Sequence, residues 1–205
     1  ICAPTYINVV LEGQQEHAGS TPMNARHDAM TAACEIVLKI ESLAQSYGNN
    51  YTVATVGRML PFPNSSNVIA GRVEFSIDIR DISEDRKTDM TQKICSYIDT
   101  IAMLRGLRAS HCVTADDLPH SSDKKIVAVI EESCTREGIF SNKMVSGAYH
   151  DSLFIAEFAP MGMIFVPSRK GISHDPAEYT DMDDIVLGTE VLTDTLLTLS
   201  NSKEI

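Results

Sequence analysis

The chain has 205 residues, 43% of them hydrophobic and 22% charged, with a formal net charge of −11. That length suits one large domain or two small ones, and the composition is that of an ordinary soluble globular protein. The acidic balance excludes a nucleic-acid partner, which wants a basic face, and no run approaches the roughly 20 apolar residues of a membrane span.

Residues 6–11 read as a short β-strand ending at Glu12-Gly13, followed by a polar, turn-rich stretch over 14–24 that contains His17. A helix is predicted over 25–46, because Ala29, Ala33, Ile36, Val37, Ile40 and Leu43 recur at three- and four-residue steps on one face. Gly48-Asn49-Asn50 supplies its C-terminal stop. Residues 51–56 read as a strand, interrupted by Pro61 and Pro63 and a loop at 64–67, and 68–81 as another. In the latter, Val73, Phe75, Ile77 and Ile79 alternate with Glu74, Ser76, Asp78 and Arg80, the period of a half-buried strand. Ser83-Glu84-Asp85 is a helix start with acids at the positive end of the dipole, and the helix runs to about Leu104 and stops at Gly106. A strand over 107–114 follows, and this first part closes near Asp116.

The order β-α-β-β-α-β predicts an α+β domain of ferredoxin-like plan, an antiparallel sheet with two helices on one face. Beyond the polar residues 119–123, a helix is predicted over 124–137, a second over 151–158 with Asp151 as its cap, a buried-type strand over 162–166, and a loop over 167–180. A last helix over 183–199 carries Val186, Leu187, Val191, Leu192, Leu196 and Leu197 on one side. One strand is too little for an independent sheet core. The second part therefore reads as a partial α/β segment, and the start at Ile1-Cys2-Ala3-Pro4 without a Met suggests a piece of something longer. The five cysteines are scattered with no CxxC pair, which argues against a disulfide scaffold or a Cys-type zinc site and suits a reducing cytoplasm. Cys34 and Cys95 read as small buried hydrophobes.

Four residues could carry chemistry. His17 stands in a polar turn before Ala18-Gly19, and reads either as a surface or capping histidine or as a donor aimed at a substrate oxygen. Asn67 closes a Pro- and Asn-rich loop, as turn chemistry or as an amide for a substrate. Arg80 lies on the polar side of its strand between Asp78 and Asp81, either within a salt-bridged sheet face or as a fork for a carboxylate. His174 follows the 162–166 run and precedes a helix, where α/β sites fall, but one histidine cannot hold a catalytic metal. Ser146, His150 and Asp151 invite a triad reading; adjacent His and Asp cannot form the relay, and no nucleophile-elbow pattern is present.

The segments GQQEHAGSTPMNARHDAM, PNSSNVIAGRVEFSIDIRD, SGAYHDS and GMIFVPSRKGISHDPAEYT, in this order, resemble the N-carbamoyl-L-amino-acid hydrolases and allantoate amidohydrolases. These belong among the aminoacylase- and carboxypeptidase-like dinuclear metallohydrolases, and the likeness covers nearly the whole chain. It implies that residues 1–116 are a lid and dimerisation domain, and that 117–205 return into an α/β catalytic domain whose first half, with the other metal ligands and the general base, is absent. It implies two divalent ions, zinc or manganese, with His174 as the C-terminal ligand. It makes His17 the residue that polarises the scissile carbonyl in the partner's site, and Asn67 and Arg80 the holders of the substrate, Arg80 on its carboxylate. The implied protein is a homodimeric hydrolase of linear C–N bonds in N-carbamoyl-L-amino acids or related ureido acids. A peptidase or aminoacylase of the same superfamily is the nearest rival, and the isolated chain would be inactive, a dimerisation module only. Tyr149, where glycine is common, and Ala70, where proline is common, depart from the pattern.

Overall fold

A computed structural model describes residues 1–202. The chain divides into two compact units: one takes Ile1–Pro119 with Ser146–Tyr149, the other His120–Val145 and the chain from His150 onward.

The first unit is built on the strands β1 (Ala3–Glu12), β3 (Val53–Phe62), β5 (Arg72–Asp81) and β6 (Arg108–Asp116), with a two-residue β2 (Glu16–His17) and β4 (Val68–Ile69) between them. The four long strands form one antiparallel sheet in the order β3-β5-β1-β6, and β2 pairs with β4 by itself. Two helices, α1 (Ala29–Ser46) and α2 (Glu84–Leu104), cover one face.

Alternation explains which face. On β5, Val73, Phe75, Ile77 and Ile79 are buried, and on β1 so are Ile7, Val9 and Leu11. They meet Ala29, Ala33, Ile36 and Ile40 of α1 and Met90, Ile94, Ile98 and Ile101 of α2 in one core. Burying each larger aliphatic or aromatic side chain contributes about 1.5–3 kcal/mol, so the two central strands anchor the unit. The other sheet face, with Tyr6 and Arg80, carries neither helix of this unit, and its β5 residues are polar and half-buried.

Local chemistry sets the boundaries. The first helix starts at Ala29 rather than at 25, because the Asp28 carboxylate accepts from the backbone N–H of Met30 at 2.9 Å and of Thr31 at 3.2 Å. Ser83 caps α2 through the N–H of Arg86. The second long strand runs through Pro61 to Phe62 instead of ending at 56: β3 is an edge strand, where proline is tolerated, and a register shift between Val56 and Arg58 absorbs Gly57. The expected strand over 68–81 is two pieces, β4 and β5, separated at Ala70-Gly71, where the carbonyls accept from Ala29 and Gly13.

The second unit is helical among its described residues: α3 (Lys124–Arg136), a four-residue α4 (Ser152–Ile155), a 3-10 turn at Arg169–Gly171 and α5 (Met182–Asn201). Asp123 caps α3 through the N–H of Lys125 and Ile126. The packing of α3 on α5 is partly polar, with the Thr195 hydroxyl 3.3 Å from Ser133 and the Arg136 guanidinium on Asp194.

Four expectations fail here. Residues 162–166 form no strand, because no neighbouring strand among the described residues offers a ladder. The segment lies instead against helices, with Gly162 beside Ile126 of α3 and Val166 beside Gly188 of α5, and Phe165 remains 47% exposed. On α5 only Val191 of the expected apolar side is buried; Val186, Leu187, Leu192, Leu196 and Leu197 are exposed, having nothing to pack on among the described residues. Asp151 stands at the start of α4 but makes no side-chain capping bond. Cys34 is exposed, since it falls off the buried stripe of α1, and Cys95 is only half-buried.

Candidate active-site elements

His17 is fixed by its own turn. Its Nδ1 accepts from the backbone N–H of Gly19 at 3.0 Å and of Ser20 at 3.2 Å. Backbone amides only donate, so the proton of the neutral ring sits on Nε2, and the exposed edge of the imidazole is a donor. Gly19 leaves room for the ring: a Cβ there would crowd it, 3.2 Å from Cε1. The His17 carbonyl accepts from the Thr21 hydroxyl at 2.9 Å and closes the turn.

Asn67 lies beside it. The Ala18 N–H donates to the Asn67 carbonyl at 2.9 Å, and His17 pairs with Val68 across β2 and β4. The Asn67 Oδ1 accepts from the Ser65 hydroxyl at 2.9 Å, which leaves its Nδ2 turned to donate outward. His17 and Asn67 thus form one polar cluster of two donors.

Arg80 is elsewhere in the same unit. It pairs with Pro4 and Val53, whereas Arg72, at the His17 end of β5, pairs with Glu12 and Phe62. Eight residues of strand span about 27 Å. Arg80 therefore lies near the opposite end of the sheet from the His17–Asn67 cluster, on the face away from α1 and α2. Its Nε and Nη2 donate side-on to Asp78, at 3.0 and 2.9 Å, and Nη2 lies 3.5 Å from the Tyr6 hydroxyl. The Asp78 carboxylate holds this guanidinium more firmly protonated than usual. Among the described residues Nη1 has no hydrogen-bond partner, and Nη2 would complete an end-on fork for a planar anion by giving up its long contact with the Tyr6 hydroxyl.

His174 sits in the second unit, at the tip of the loop before α5, with a left-handed backbone (φ 57°) that is rare for a side-chain-bearing residue. Its N–H donates to the Glu178 carboxylate at 2.9 Å, and Nδ1 lies 2.9 Å from the Ser173 hydroxyl. That arrangement turns Nε2 outward as a potential ligand, and strained backbone of this kind gathers at functional positions. Among the described residues, however, no three His, Cys, Asp or Glu side chains come together as a metal site. A catalytic zinc takes about three protein ligands, so the residues present offer one donor and not a centre.

The triad residues are otherwise engaged: the Ser146 hydroxyl donates to the Ala148 carbonyl, and the His150 Nδ1 accepts from the Ser152 N–H. Sequence reasoning passed over Arg26 and Tyr6. Neither has a periodic or motif signal; each is recognised only by what it touches, Arg26 the carbonyls of the His17 turn and Tyr6 the Arg80 guanidinium.

Peptidase family M20/M25/M40 matches residues 16–198. An N-carbamoyl-L-amino-acid amidohydrolase of Pseudomonas sp. (strain NS671) is 38% identical over 197 residues, which cover 96% of this chain and 48% of that protein. A ureidoglycolate hydrolase of Arabidopsis thaliana is 39% identical over 201 residues, 98% of this chain and 42% of that one. The crystal structure of an amidase of the hydantoinase/carbamoylase family from Burkholderia vietnamiensis matches with a TM-score of 0.90 at 33% identity, over 95% of this chain and 47% of that one. The chain spans about half the length of the relatives it matches.

Proposed function

This chain belongs to peptidase family M20/M25/M40, and from that premise we propose that it is part of a metal-dependent amidohydrolase of linear C–N bonds in N-carbamoyl-L-amino acids or related ureido acids. The observation that carries the reading is a pair of outward-facing donors in one unit: the His17 Nε2–H beside Asn67 on the β2–β4 pair, and the Nη1 of Arg80 near the far end of the four-stranded sheet. Arg80 grips the substrate carboxylate through two parallel hydrogen bonds. His17 donates to the scissile carbonyl and to the oxyanion that forms there, and Asn67 orients the substrate through its amide. With roughly 27 Å of β5 between Arg80 and Arg72, the residue at the His17 end of that strand, His17 and Arg80 of one chain lie too far apart to share one small substrate. A site that uses both draws them from two copies, which supports a homodimer.

In this reading residues 1–116 are the ferredoxin-like lid and dimerisation domain, and 117–205 are a segment of the catalytic domain. The 162–166 run and the exposed apolar side of α5 would pack on further catalytic-domain structure. The family is in general one of dinuclear metallohydrolases. His174 would supply one ligand to zinc or manganese, the rest coming from outside the described residues. The five cysteines are all free, in keeping with a cytoplasmic location.

The test is turnover of N-carbamoyl-L-amino acids, with allantoate and dipeptides as competing substrates, in the presence of Mn²⁺ or Zn²⁺. The 205-residue chain is expected to dimerise without hydrolysis, and the full-length protein to hydrolyse; turnover by the 205-residue chain alone would overturn the division of the site. In the active protein, Arg80→Ala should raise KM for acid substrates on the order of 100-fold, the cost of losing about 3 kcal/mol of bidentate binding. An unchanged KM would remove Arg80 from the site.

The second reading, a dimerisation module without catalysis of its own, is favoured by the lack of any three-residue metal cluster among the described residues. It describes the chain by itself and is compatible with the first.

A further inference from the structure

Arg26 is a half-buried guanidinium that makes no ion pair among the described residues. All three of its hydrogen bonds go to backbone carbonyls of the His17 turn: Nη2 to Ala18 at 2.7 Å and to Thr21 at 3.1 Å, and Nε to Thr21 at 3.1 Å. A cation that binds only neutral carbonyls, with acidic residues plentiful in the chain, is placed for geometry rather than for charge pairing. The two carbonyls flank Gly19 and Ser20, whose N–H groups point at the His17 Nδ1. Joining them through one side chain holds the turn shut and keeps both N–H groups converged on the ring. That convergence sets the tautomer, and the tautomer decides whether Nε2 donates or accepts.

We propose that Arg26 is a positioning residue that locks the 18–21 turn so that His17 offers Nε2–H to the substrate. The proposal rests on the reading of His17 as the carbonyl donor. Without the brace the turn opens, one or both N–H groups leave Nδ1, and the ring proton redistributes between the two nitrogens. A donor misplaced by about 1 Å can cost on the order of 100-fold in rate, while substrate binding, carried by Arg80, is spared.

The experiment uses the active full-length protein with Arg26→Ala, Arg26→Gln and Arg26→Lys. It measures kcat and KM on an N-carbamoyl-L-amino acid, together with the His17 tautomer from long-range ¹H–¹⁵N correlations of ¹⁵N-histidine-labelled protein, the signal assigned through His17→Gln. The expected result is a 10- to 100-fold loss of kcat in the Ala variant, KM within about twofold, and a mixed His17 tautomer where the parent holds Nε2–H alone. Lys, whose ammonium can still reach a carbonyl, should recover part of both. A His17 signal that stays purely Nε2–H in every folded variant overturns the proposal, whatever happens to kcat. Should Arg26→Ala fail to fold, the Lys and Gln variants are judged by the same tautomer criterion. If His17→Gln leaves kcat intact, the carbonyl-donor reading falls, and the tautomer measurement still decides whether Arg26 sets the ring.

Discussion

Asp81 ends β5 as a fully buried carboxylate, and its partners explain how it can be ionised there. It accepts from the Thr52 hydroxyl, from the Ser83 N–H at 2.8 Å and from the Arg86 Nε at 3.0 Å. Burial alone would push its pKa up; the bonds from Arg86, Thr52 and Ser83 and the charge of Arg86 outweigh that and hold it below the usual carboxylate range. Folding therefore favours the ionised form, so the stabilisation is complete above the unfolded value of about 3.9 and is lost as pH falls through the lower folded one. Asp81→Asn should cost on the order of 2 kcal/mol at pH 7. Denaturant melts at descending pH should show the gap between parent and variant closing below about pH 4; a gap independent of pH would show that the charge contributes nothing. At this scale the sequence named Asp81 only as a neighbour of Arg80. Its role depends on Thr52, 29 positions away, which no local pattern connects to it.

Among the elements, α2 shows how one buried side chain can join several. Lys87 on its first turns is 1% exposed, and its Nζ reaches the Pro4 carbonyl of β1, the Asp116 carboxylate at the end of β6 at 2.8 Å, and the Asp117 carbonyl. One ammonium thus closes the end of the sheet where β1 begins and β6 finishes. Lys87→Met keeps the length of the side chain but leaves those acceptors without a donor, and should destabilise the first unit by about 2–3 kcal/mol, read as a lower Tm. A Tm within a degree of the parent would make the cluster energetically neutral. Strands and helices of this unit were legible because their alternation and three-to-four spacing match what they bury. Lys87 was not, because a lysine in a helix of charged residues reads as a solvated one. The 162–166 run failed for the converse reason: its residues have strand character, but a strand exists only with a neighbour to bond.

For the whole molecule, the separation of His17 from Arg80 has a genetic consequence. If each site takes Arg80 from one copy and His17 from the other, a dimer of one His17→Ala and one Arg80→Ala chain contains one intact site and one doubly damaged site. Random reassortment of the two impaired full-length variants, assayed at substrate well below the Arg80→Ala KM, should then restore about a quarter of parental activity, because half the dimers are mixed and each has one good site of two. No recovery, with mixed dimers demonstrated, would mean that both residues serve the same site from the same copy. The candidate site was partly legible as residue types: His17, Asn67, Arg80 and His174 each stand in a recognisable local setting. Their grouping was not, since His17 and Asn67 are 50 positions apart and meet only through the pairing of Glu16–His17 with Val68–Ile69.

The sequence by itself determined what depends on near neighbours: the long helices with the Ser83 start, the buried face of β5, the family, and the identity of the polar residues. These follow from periodicity and from chemistry within a turn or two. Only the tertiary structure decided the strand order, the proton on the His17 Nε2, the brace from Arg26, and the placing of Arg80 at the far end of the sheet. Each of those depends on hydrogen bonds or pairings whose partners are set by how the chain folds back on itself, which side-chain order along the chain does not specify.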